Sequence, residues 1–121
     1  MAKNFEVINI LLDFYGDMLT EKQKTFLEYY YNDDLSLSEI ADNEGITRQG
    51  VRDSIKRAEA QLYEMEERLG LAKRFEQVRN GLNEIVACAE EINEHNMRTV
   101  LSRDINDAVV RIKLIASSLN E

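Results

Sequence analysis

LSEIADNEGITRQGVRDSIKR, residues Leu37 to Arg57, has the spacing of a helix-turn-helix. The pattern predicts a short helix from Leu37 to Asn43, a turn holding Gly45, and a second helix opening just after Thr47. Ile40, Ile46, Val51 and Ile55 recur at intervals that join the two helices on a shared core. Ala41 is small where the helices cross. Gly45 stands where the turn wants a positive φ, which a residue without Cβ adopts at no steric cost. Ser36 with Glu39 reads as a reciprocal capping box, and Thr47 as the N-cap of the second helix. Three residues fit less well. Gly50 costs about 1 kcal/mol against Ala inside a helix, and Glu44 and Ser54 stand near places where such motifs put an apolar residue.

The face turned away from Ile46, Val51 and Ile55 carries Thr47, Arg48, Gln49, Arg52, Asp53 and Lys56, with Arg57 beside them. In a helix-turn-helix the second helix enters the major groove N-terminal end first. Arg forks onto a guanine edge, Gln onto an adenine edge, and Lys56 and Arg57 suit phosphates. Between Arg48 and Arg57 there are four basic residues and one acidic one. A plain helical hairpin with solvated charges, or a protein-binding use of the same motif, remains the competing reading.

The remaining chain is acidic: the 121 residues carry a formal net charge of −8. Up to Gly70 there are 8 basic and 15 acidic residues; after it, 7 and 8. Such a molecule does not coat nucleic acid indiscriminately, so any contact must be local, through the basic strip. With no Pro and five Gly, the expected class is all-α. Cys88 is the sole cysteine, which excludes an internal disulfide and suits a reducing compartment; among Val86, Ala87 and Ala89 it is expected to be buried. The opening apolar run is broken by Glu6, Asn9 and Asp13, and no run reaches membrane-spanning length, so a cytoplasmic protein is expected.

Phe5, Ile8, Leu11, Leu12 and Tyr15 predict an amphipathic helix over residues 4–16. Thr20 with Gln23 opens a second, to Tyr31, with Phe26, Leu27 and Tyr30 on its apolar face. At least two rings of Tyr29, Tyr30 and Tyr31 are expected in the core, a hydroxyl reaching solvent. Asn32 to Asp34 is turn chemistry. Past the motif, Val51, Ile55, Ala58, Leu62, Met65 and Leu69 follow at alternating steps of four and three, a coiled-coil seam. A helix from Arg48 to Leu69 is about 33 Å long, and its half from Leu62 onward is expected to project beyond the N-terminal core.

Phe75, Val78, Leu82, Ile85, Ala89 and Ile92 repeat the seam out of phase, which puts a bend at Gly70. Asn93 to Asn96 reads as a turn, and Val100 to Leu119 as one more helical face. The expected organisation is an N-terminal helical domain, residues 1–69, and a C-terminal arm, residues 70–121, that packs on the long helix as a bundle. The seam of Leu62, Met65, Leu69, Phe75, Leu82, Ile85 and Ile92 is expected to serve that bundle and a homodimer, since a lone arm would leave an apolar stripe exposed. His95 and Glu91 lack the partners a metal site needs. There is no phosphate loop and no nucleophile motif, so neither cofactor nor catalysis is expected.

Taken together, Asp13-Phe14-Tyr15, Leu19-Thr20-x-Lys22-Gln23, Tyr30-Tyr31-x-Asp33-Asp34, Leu37-Ser38-Glu39-Ile40-Ala41 and Thr47-Arg48-Gln49-x-Val51 leading to Ile55-Lys56-Arg57 resemble the YlxM family of small bacterial helix-turn-helix proteins. The likeness covers about half the chain, Leu11 to Leu69. More distantly it extends to region four of bacterial sigma factors. Gly50 and Arg52 stand where that likeness implies Ala and Tyr. The resemblance implies a non-enzymatic regulatory protein associated with the signal recognition particle pathway. That leaves two expectations: a DNA-binding regulator acting through Arg48, Gln49, Arg52 and Lys56, or an adaptor that binds the particle's protein or RNA.

Overall fold

The computed structural model describes residues 4–120. Among them the regular structure is helical: α1 (Phe5–Tyr15), a 3-10 turn (Gly16–Met18), α2 (Glu21–Tyr31), α3 (Leu37–Glu44), α4 (Arg48–Leu69), α5 (Leu71–Arg98) and α6 (Arg103–Leu119). No helix among the described residues is long and apolar enough to cross a membrane. The chain divides into two compact units, Met1–Ala72 and Lys73–Glu121.

The first unit is built on α4. Val51, Ile55, Ala58 and Leu62 form one fully buried edge of that helix. They meet Ile8, Leu11 and Tyr15 of α1, Phe26, Leu27, Tyr30 and Tyr31 of α2, and Leu37, Ile40 and Ala41 of α3 in a single core. Both predicted capping boxes form: Thr20 with Gln23 on α2 and Ser36 with Glu39 on α3. Each satisfies two backbone N–H groups that the helix start would otherwise leave unpaired. Asp34 takes a left-handed conformation in the turn between these helices.

Leu62 does not project. It lies within this core, and Met65 packs half-buried against it, because α1 runs alongside the middle of α4 and covers it. Leu69 is where the seam becomes exposed. Two tyrosine–carboxylate pairs fix α4 in place. Tyr31, though its ring is buried, donates its hydroxyl to Glu59 rather than to solvent. Tyr15 donates to Glu66 at 2.6 Å and accepts from the Leu71 N–H at 3.0 Å, while the same Glu66 oxygen accepts from the Ala72 N–H at 3.0 Å. Gly70 ends α4 in the left-handed conformation, φ 63°, and α5 opens at the next residue. The expected bend is therefore a single residue, and a phenol and a carboxylate cap the helix that follows.

In the second unit α5 and α6 form an antiparallel hairpin. Residues Asn93–Asn96, expected as a turn, are helical; α5 continues to Arg98 and the connection falls at 99–102. The asparagines are polar because their side chains hold that connection. Asn96 is buried; its amide oxygen accepts from Ser102 N–H at 2.8 Å and its amide nitrogen donates to the Ser102 carbonyl at 2.9 Å. Asn93 donates to Asn106 of α6 at 3.0 Å. Ser102 in turn caps α6 by accepting from the Ile105 N–H. Val100 and Leu101, expected on the helical face, lie in the connection and are exposed, Leu101 with φ 56°. Cys88 is exposed, correcting the expected burial: Ala89 is the residue on the covered side of α5.

Two consequences are testable. Burial first, and then the adjoining carboxylates, push both Tyr15 and Tyr31 above the ordinary phenol value of 10.0. The folded state therefore holds these phenols protonated where the unfolded chain would release the protons. Their contribution to stability is complete below about pH 10 and falls as pH rises through the raised folded values. Urea midpoints measured from pH 8 to pH 11 should be level and then drop, and Tyr31→Phe should flatten part of that drop. Separately, Asn96→Ala should cost about 2 kcal/mol in the α5–α6 hairpin, because it leaves the Ser102 N–H without its partner, while the Ser102 carbonyl still accepts from the Asn106 N–H. Amide exchange at Ser102 and across α6 should speed up, with α1 to α4 unaffected.

Candidate nucleic-acid interface

The motif geometry begins with how α3 stops. Gly45 is left-handed at φ 68°, and the Ile46 N–H reaches back to the Ala41 carbonyl at 3.2 Å. This is a six-to-one closure of the helix end, with Ile46 packed against the core as its apolar partner. The chain is thereby turned so that Thr47 can start α4. Its hydroxyl accepts from the Gly50 N–H at 3.0 Å.

Gly50 fits this cap. A Cβ there would lie 3.1 Å from the Thr47 hydroxyl oxygen and 3.7 Å from Ile46 Cδ1. The glycine that weakens the helix by propensity leaves room for the bond that starts it. Thr47 Oγ1 thus caps the helix as an acceptor, and its O–H hydrogen is not used by that bond.

The other residues of the strip follow from the buried edge. With Val51 and Ile55 inward, Arg48, Gln49, Asp53, Lys56 and Arg57 are exposed and Arg52 is half-buried. Among the described residues none of the four cations is held in an ion pair. The carboxylates of α4 that do have partners, Glu59, Glu64 and Glu66, are tied to Tyr31, Arg68 and Tyr15. Asp53 is the exception within the strip: it accepts from the Gln49 amide nitrogen at 2.9 Å, one helical turn apart. An amide nitrogen has two hydrogens, so Gln49 keeps one donor and its carbonyl for an outside partner while Asp53 sets its orientation. Sequence reading placed Gln49 and Asp53 on one face and missed that they are bonded; the i, i+4 spacing of an amide and a carboxylate was the available signal.

The residues of the expected seam are distributed over both units, Leu62, Met65 and Leu69 in the first and Phe75, Leu82, Ile85 and Ile92 in the second. Leu62 is in the N-terminal core, Met65 is half-buried against it, and Leu82 is half-buried in the second unit. Leu69, Phe75, Ile85 and Ile92 are exposed.

Thr47→Ala should lower stability by about 1 kcal/mol, the usual cost of losing a side-chain N-cap. The first turn of α4 should fray in amide exchange, with α2 unchanged.

The sequence comparisons agree with this geometry. A UPF0122 protein of Desulforamulus reducens is 50% identical over 84 residues, 69% of this chain and 72% of its own. One of a Thermoanaerobacter species is 46% identical over 94 residues, 78% and 80% of the two chains. One of Acetivibrio thermocellus is 42% identical over 118 residues, 98% of this chain and all of its own. Residues 2–114 match the family described as "Putative helix-turn-helix protein, YlxM / p13 like", and the chain belongs to that family, UPF0122.

Proposed function

We propose that this chain is a non-enzymatic regulator that binds duplex DNA with the N-terminal half of α4. The observation that carries the reading is an exposed strip of cations, Arg48, Lys56 and Arg57 with Arg52 at its flank, none ion-paired among the described residues, on the second helix of a helix-turn-helix. Arg48 and Gln49 sit in its first turn, the end that meets base edges in this class of motif. Lys56 and Arg57, two turns on, suit the phosphates. Asp53 opposes a polyanion and limits indiscriminate binding, as does the net charge of −8.

That acidity favours a second reading. A regulator or adaptor acting in the signal recognition particle pathway would offer the same strip to the particle's protein or RNA in the cytoplasm, without binding duplex DNA. The two readings separate in one titration. Fluorescence anisotropy with a pool of random-sequence duplexes at 50 mM salt should show binding by the wild type. Arg48→Ala with Lys56→Ala, both exposed and unpaired, should weaken it at least tenfold. It should also reduce the slope of log affinity against log salt by roughly 1 for each lost phosphate contact. No binding at low salt, or binding indifferent to both substitutions, sinks the DNA reading. Retention of the particle's protein or RNA by the wild type and not by the variant would then establish the adaptor.

A further inference from the structure

The α5–α6 hairpin has a face that its own two helices leave uncovered. The line along which the helices meet is marked by polar bonds: Lys113 to Glu90 at 3.1 Å, Asn93 to Asn106 at 3.0 Å, and Asn120 to Asn83 at 3.2 Å. Stepping about 100° per residue from that line, Val78, Ile85 and Ile92 on α5 fall about a third of a turn away. Ile112, Ile115 and Leu119 on α6 are displaced by a similar angle. Because the helices are antiparallel, both displacements lead to the same side. Ala89, Val109 and Ala116 are buried in the groove between them, and the six larger side chains stand around it, 37% to 61% exposed.

We propose that this face is covered by the same face of a second copy of the chain, forming a two-fold four-helix bundle from two hairpins. Three observations favour this occupant. The first is area. At on the order of 100 Å² for each half-exposed aliphatic side chain the six present about 600 Å², the upper end of the largest patch a monomer usually leaves. A stable interface takes about 800 Å² from each partner, roughly 65% of it apolar in a homodimer, which is about 500 Å². The second is charge. Residues beyond Gly70 carry 7 basic and 8 acidic side chains against 8 and 15 before it. The near-neutral part of an acidic chain is the part that two copies can bring together with least repulsion. The third is shape: an antiparallel helix pair with small residues along its groove is self-complementary under a two-fold axis.

Sedimentation velocity of the full chain without nucleic acid tests this independently of the DNA reading. The wild type should sediment at twice its 14.0 kDa across micromolar concentrations. Ile92→Glu with Ile115→Glu should sediment as one chain with its helical circular dichroism kept. Leu114→Glu, exposed on the opposite flank of α6, should leave the dimer intact. Should the double variant unfold, the wild-type Tm decides: it should rise with protein concentration, as it does when folding and pairing are linked. A single-chain mass for the wild type, a concentration-independent Tm, a double variant that still pairs, or a Leu114→Glu chain that falls apart would each overturn the proposal. Ile92 and Ile115 becoming covered only in a complex with another protein would also overturn it.

Discussion

The first unit depends on one buried edge of one helix. Val51, Ile55, Ala58 and Leu62 lie at alternating steps of four and three along α4, and all are sealed from solvent by α1, α2 and α3. Removing such side chains from water is the dominant favourable term available to a helix this polar on its other side. The edge also sets rotation: once those residues face inward, the exposed strip from Arg48 to Arg57 has no freedom to face elsewhere. The candidate interface is thus a by-product of core packing, presented by a helix that three others hold still.

A second constraint recurs at helix ends. Backbone N–H groups at a helix start and carbonyls at its end have no partners inside the helix, and this chain supplies them with side chains from neighbouring helices as well as from adjacent residues. Tyr15 and Glu66 do so for the start of α5; Asn96 does so for the connection into α6. These are polar groups in partly or fully covered positions, and each is hydrogen-bonded there. They also explain an economy of composition. With no Pro in the chain, helix breaks are made by left-handed Gly45 and Gly70 and by side-chain caps.

The two halves differ in how completely they bury themselves. The N-terminal unit closes around its aromatic and aliphatic residues, whereas the hairpin of α5 and α6 covers only Ala89, Asn96, Val109 and Ala116. Two helices have too little mutual surface to hide two amphipathic faces. Charge is divided in parallel: the acidic excess sits in the half that encloses its core. The exposed cations of α4 therefore stand in the more acidic part of the chain.

Much of this was legible in the residues. The capping boxes at Thr20 and Ser36, the cap at Thr47, the turn glycine at Gly45 and the phase break at Gly70 are local features, fixed by residues within a few positions of one another, and the alternation along α4 is periodic. The misread parts depend on partners outside the segment being read. Asn93 to Asn96 is polar enough to suggest a turn, yet Asn96 is helical because Ser102 takes up its amide. Cys88 is as apolar as Ala89, and only the side on which α6 lies distinguishes them. Leu62 continues a seam that looked free, and α1, some fifty residues earlier, covers it. Sequence alone determined that the segments before Gly70 are helices, how α2, α3 and α4 start and stop, and which edge of α4 is apolar, because those are set by backbone bonding and spacing. Tertiary structure decided which apolar edges found a neighbour and which polar side chains were taken into bonds, because burial depends on what the rest of the chain brings alongside.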